Sequence, residues 1–280
     1  MNDLKCGSCS LVCPKCKLLQ FYKEGNVNKV RACVELFPEI LTSTGYWLKL
    51  ILSHAASNEA NEICDILLSS GQIDLSILNE VLCHFCDSGN VFAARKAIEA
   101  GANINYVDED GRTPAMNAAL AGKVNIIDLL EEYDETNWNY KNNHGENILL
   151  VLFPIGDNFD IIQRLSLIED LNWEIQDNNG MSILVKTMEN SLCEYCSENT
   201  TALLSVPQIK YDVDYLKQKN VYEATVRECK NYVTNLMRDE GLEGDLVRFA
   251  KRKCLINMAA FIEHANDEWV RPRKIISLFP

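Results

Sequence analysis

The chain has 280 residues, 47% of them hydrophobic, and a formal net charge of -13. That is long for one compact core and too apolar for disorder along the whole length, and the negative charge argues against nucleic acid as the main ligand. No apolar run approaches the ~20 residues that span a bilayer, and the opening MNDLKCGSCS has neither a secretory h-region nor the glycine that myristoylation needs. Twelve cysteines without a signal predict thiols in a reducing compartment, the cytoplasm or nucleus, rather than a disulfide framework.

The first distinctive stretch is KCGSCSLVCPKCK, residues 5 to 17, with Cys6, Cys9, Cys13 and Cys16. Four thiolates suit tetrahedral zinc. Only three residues separate the two CxxC pairs, however, where structural zinc sites have a long loop. The run through Cys13-Pro14 also matches the last three cysteines of a ferredoxin pattern, with Asp3 in place of the fourth. Next comes GNVNKVRACVEL from Gly25, an amphipathic helix behind a turn. Related segments follow: NEANEICDILL from Asn58, GNVFAARKAIEAGANIN from Gly89, GKVNIIDLL from Gly122 and GDNFDIIQRL from Gly156. Their starts are 33, 31, 33 and 34 residues apart. This period is the mark of a stacked repeat, because each unit is too small to bury its own apolar face.

Between the third and fourth of these segments lies DEDGRTPAMNAALAG, residues 108 to 122. Asp108 to Gly111 is turn chemistry, Thr113 is a helix N-cap and Pro114 suits the first helical position. Ala115, Ala118 and Ala119 give that helix a narrow face on which a neighbour can pack closely. The turn recurs at Gly145 in NNHGENILL and at Gly180 in DNNGMSILV, 34 and then 35 residues on. Trp138 and Trp173 occupy one repeat position and are read as packing at the base of the turn. In the same register Cys83 and Cys86 share one face of a first helix and are read as small buried residues rather than a redox pair. Cys193 and Cys196 read similarly, near an insertion in SLCEYCSENTT, and a further turn is expected at 211–221. Beyond residue 222 the period fades into helices.

Residues 108 to 141 closely resemble an ankyrin repeat, with Met116 in place of the usual histidine, and GANIN, residues 101 to 105, resembles the family's hairpin entry. Residues 142 to 213 match loosely, with Asn147-Ile148 and Ser182-Ile183 in place of Thr-Pro. The resemblance implies an all-α ankyrin-repeat solenoid: helix-turn-helix repeats with short β-hairpin loops and a helical C-terminal cap. Residues 1–17 then form a Cys-rich N-terminal cap, 18–221 the repeat array, and 222–280 a degenerate last repeat with the helical cap. In this register the first helix starts near Cys16 or Lys17.

The family binds other proteins through hairpin tips and the inner face of the first helices. Carried over by position, the partner-binding residues are Glu109, Asp110, Arg112, Leu120, Ala121, Asn143, His144, Glu146, Asn178, Asn179 and Met181, while Asp108 and Asn142 are assigned to the turn itself. Residues 56 to 214 hold 27 acidic and 8 basic side chains, so a basic protein segment is the expected partner on a concave acidic surface. No phosphate loop and no Ser/His/Asp order is present among only four histidines. The expectation is therefore a monomeric, non-enzymatic interaction module or adaptor that binds neither nucleic acid nor membrane and has no cofactor. The alternative is a metal- or redox-responsive adaptor, with zinc at Cys6, Cys9, Cys13 and Cys16. Thiol packing and metal stapling both fit those four residues.

Overall fold

Helix caps and turn glycines recur through the chain, and they set where each element begins and stops. A computed structural model describes residues 13–42, 46–152 and 159–189, and, further on, 202–204, 206, 209, 216–217, 222–240, 242, 244–252, 258–259, 262–263 and 265. The chain divides into two compact units, Met1–Tyr140 and Lys141–Pro280.

In the first unit the helices are α1 (Pro14–Lys23), α2 (Val27–Leu36), α3 (Glu39–Thr42), α4 (Tyr46–Ser57), α5 (Asn61–Leu68), α6 (Leu75–Ser88), α7 (Val91–Glu99), α8 (Pro114–Leu120) and α9 (Val124–Glu131). They form two layers. First helices α4, α6 and α8 stack side by side, and second helices α2, α5, α7 and α9 stack behind them. The two layers bury Leu48, Leu52, Val81, Phe85, Ala93, Ala118, Ala119, Ile126 and Ile127 completely. Cys83 and Cys86 sit in the same core. The alanines matter because closely stacked helices have no room for longer side chains at these positions.

Side-chain caps start the helices as their sequences suggest. Asn26, Asp74, Asn90 and Thr113 each accept a backbone N–H from the first turn of α2, α6, α7 and α8. Helix α1 begins at Pro14 rather than at Cys16 or Lys17, because proline at the first position pre-sets the helical φ. Neighbouring repeats are joined at the same seam. The Asn90 amide donates to the carbonyl of Ala56 at 2.9 Å, and that of Asn125 donates to the carbonyl of Gly89 at 3.1 Å.

In the second unit α10 (Ile148–Val151), α11 (Phe159–Leu165) and α12 (Ile183–Glu189) continue the pattern, followed by α13 (Tyr222–Asp239) and α14 (Leu246–Arg252). A core cluster joins Leu184 and Val185 of α12 to Val226, Cys229 and Val233 of α13 and to Met258 and Ile262. Trp173 is buried and Trp138 half-buried. Cys193 and Cys196 lie outside the described residues, as does most of the turn expected at 211–221; its described pair, 216–217, is helical.

The expected β-hairpins are not strands. Among the described residues only one isolated bridge occurs, Gln176 with Ser182. Each of the turns at Asp108, Asn142 and Asp177 closes through one backbone hydrogen bond across the loop, from Asp108 N–H to the Arg112 carbonyl in the first, and through a side-chain oxygen that accepts two further amides.

Gly25, Gly89 and Gly122 turn the chain between paired helices with positive φ, and at this place in the second repeat Glu59 adopts φ 55°. A Cβ there costs about 1–2 kcal/mol. Glu59 is exposed and carries no packing duty. Glu59→Gly is therefore expected to stabilise the protein by up to about 1 kcal/mol, after the added freedom of the unfolded glycine is subtracted. The urea midpoint should rise; an unchanged or lower midpoint would contradict this account.

Candidate interaction surface

Three turns share one construction. The Oδ1 atom of Asp108 accepts the amides of Asp110 (3.0 Å) and Arg112 (2.8 Å). Asn142 does the same for His144 and Glu146, and Asp177 for Asn179 and Met181. The turn glycines Gly111, Gly145 and Gly180 follow at φ 76°, 77° and 70°. Asp108 and Asn142 thus hold the backbone and lift the residues between into solvent.

In the first unit the turn faces the stacked first helices across a recess of about 320 Å³. Helix α4 contributes Lys49; α6 contributes Glu80, Cys83, His84 and Asp87; the loop contributes Tyr106 and Asp108 to Arg112; and α8 contributes Asn117. Lys49 donates to Glu80 at 2.7 Å, Arg112 lies 3.5 Å from Asp110, and Asn117 donates to Asp108 at 2.7 Å. Burial, then the Lys49 charge, lowers the His84 pKa against the pull of nearby carboxylates. Burial, then Glu80, raises that of Tyr106. Burial, then Asp108, pushes the Cys83 thiol up to about 12, so it is a protonated floor of the recess and not a nucleophile at neutral pH.

Glu109, Asp110 and Arg112 of the sequence-derived set therefore meet at this recess. Leu120 and Ala121 are half-buried at the end of α8 and do not line it. The first-helix contributors Lys49, Glu80, His84, Asp87 and Asn117, with Tyr106, were missed. Their signal is the spacing of Glu80, His84 and Asp87 along α6, which puts all three on one face.

In the second unit Asn143, His144, Asn178 and Asn179 are exposed. Asn178 also ties two turns together, its backbone amide donating to the carbonyl of His144 and its side chain to that of Asn143, both at 3.0 Å. Gly145 faces Asn178 so closely that a Cβ would lie 2.4 Å from its Oδ1. Glu146 and Met181 are not open tip residues. Met181 packs against the core cluster. Glu146 accepts from Lys186 at 2.6 Å, and Lys186 also reaches Asp177 at 2.9 Å. The three side chains are 20%, 17% and 5% exposed, so this is an interior clamp between adjacent turns.

Of the four candidate metal ligands, Cys6 and Cys9 lie outside the described residues. Cys13 is the residue before α1, and Cys16 lies in its first turn. Among the described residues no three His, Cys, Asp or Glu side chains converge as a metal site.

Residues 52–142 match the family model for ankyrin repeats, in three copies. This segment is built of ankyrin repeats. The stacked helix pairs and turns are its ankyrin repeats, and the fold is the all-α ankyrin solenoid. The crystal structure of EF0377, an ankyrin repeat protein, aligns with a TM-score of 0.51 at 19% identity, covering 67% of this chain and 96% of that one. None of the curated proteins matches. Among the described residues no helix is long and apolar enough to cross a membrane.

The clamp gives a pH prediction. Burial opposes ionisation of Glu146 and Asp177, but bonds from Lys186 and the turn outweigh it and hold both carboxyls below their usual values. Depressed carboxyl pKa values stabilise the fold above about pH 4.5, and that contribution is lost as pH falls through the folded values. Lys186→Met leaves two partly buried carboxylates uncompensated and should cost about 2 kcal/mol at pH 7. The deficit should shrink towards pH 3.5 as both carboxylates protonate. Urea unfolding at the two pH values measures it, and an equal loss at both would refute the clamp.

Proposed function

We propose that this chain is a non-catalytic adaptor, working as a monomer in the cytoplasm or nucleus, that holds a basic segment of a protein partner. The segment lies along the face formed by α4, α6, α8 and the turn at Asp108 to Arg112. Ankyrin repeats are in general protein-protein interaction modules, and that supports the class. The recess of the first unit supports the place and the charge preference. Its lining is dominated by carboxylates from two elements, and Asp87 and Glu109 have no ion-pair partner among the described residues. A rigid stack presenting exposed loop residues suits recognition, because little ordering entropy is lost on binding.

Proteins captured by the wild-type chain should be lost, at least about tenfold, when Asp87, Glu109 and Asp110 are together changed to Lys. Changing Glu35 and Glu62, on second helices of the opposite layer, to Lys should leave capture unchanged. Quantitative mass spectrometry of the bound fraction decides. Capture that survives the first set, or falls equally with the second, removes the groove from the account.

The second reading is a zinc site at Cys6, Cys9, Cys13 and Cys16. The placement of Cys13 and Cys16 one turn apart at a helix N-terminus supports it. Anaerobically purified protein should then hold about one zinc per chain, and a content below about 0.2 would rule it out.

A further inference from the structure

In the recess of the first unit most charges are internally matched. Lys49 pairs with Glu80 and Arg112 with Asp110, while Asp108 is consumed by its own turn and by Asn117. Asp87 and Glu109 are left over, the first from the last turn of α6 and the second from the following turn. Between these elements lie the rings of His84 and Tyr106. Tyr106 is half-buried over the buried floor at Cys83, while His84, Asp87 and Glu109 stay open to an incoming side chain. Unmatched negative charge in a recess with low-dielectric walls concentrates field and draws in cations.

The shape and chemistry narrow the cation. No three acidic, His or Cys side chains converge on a point among the described residues, which disfavours a bare metal ion. About 320 Å³ has room for roughly ten waters at ~30 Å³ each, enough for one side chain and too little for an extended cofactor. The acceptors come from separate elements beside an aromatic ring. A planar guanidinium can donate to both at once and lie against the ring, whereas an ammonium is a compact point charge. Lys49 and Arg112 at the walls repel a second cation.

From these features we infer that the recess receives a single arginine side chain of the partner, its guanidinium bridging Asp87 and Glu109. This rests on the interaction reading above and adds the identity of the anchor.

The test is amide NMR of the full chain titrated with Nα-acetyl-arginine methylamide, its lysine counterpart and its neutral citrulline counterpart. The arginine probe should give saturable shifts centred on Tyr106, Glu109 and Asp110. The lysine probe should bind several-fold more weakly, and the citrulline probe should leave these signals in place. Asp87→Asn with Glu109→Gln should weaken arginine about tenfold while the rest of the spectrum keeps its positions. Equal binding of all three probes, diffuse unsaturable shifts over the acidic surface, or full binding to the double variant would each overturn the proposal. The two readings fail separately. Loss of partner capture on charge reversal, without arginine binding here, leaves the groove standing and removes the anchor. Arginine binding here, with partner capture surviving reversal, removes the groove as the partner's site.

Discussion

One side-chain oxygen accepting two backbone amides governs how this protein presents itself. At Asp108, Asn142 and Asp177 that oxygen joins a single backbone bond across the loop in closing it, so the residues between project into solvent. The glycine that follows can be left-handed at no steric cost, and the chain then leaves towards the next helix in a fixed direction. The position of Glu109 over α6 follows from this local chemistry before any partner contributes. Asp108 adds a second duty, since its other oxygen holds Asn117 on the groove side of α8.

Layer packing supplies the rigidity that makes such loops useful. Ala115, Ala118 and Ala119 let α8 approach α6, and Cys83 and Cys86 fill the facing positions of α6. These thiols serve as small hydrophobes, and burial keeps Cys86, like Cys83, protonated. On the outer layer Arg95 reaches Glu132 through two hydrogen bonds, 2.7 and 2.8 Å, linking second helices of successive repeats. That pair is solvent-exposed and adds little energy, but it marks the same register.

Much of this was legible in the residues because repeats repeat their constraints. Gly111, Gly145 and Gly180 could be aligned because each needs positive φ, and the cap at Thr113 with Pro114 has few other uses. Side-chain destinations were less legible. Glu146 sits at a tip position in the alignment, yet a lysine 40 residues further on pulls it inward. Met181 follows a turn residue but finds an apolar cluster built largely from α13 and beyond. On the groove face of α6, Glu80, His84 and Asp87 look in sequence like any solvated helix side chains, and only the fold sets Lys49 of α4 and the following turn beside them. Long-range partners of this kind leave no periodic trace.

The asparagine seams carry a temporal meaning. Asn90 donates to Ala56 and Asn125 to Gly89, so in both cases the later repeat brings the donor and the earlier repeat the acceptor. Synthesis from the N-terminus exposes each carbonyl before its asparagine emerges. A growing chain can thus close these seams in the order in which it is made, each new repeat docking on one already formed, without waiting for residues still inside the ribosome.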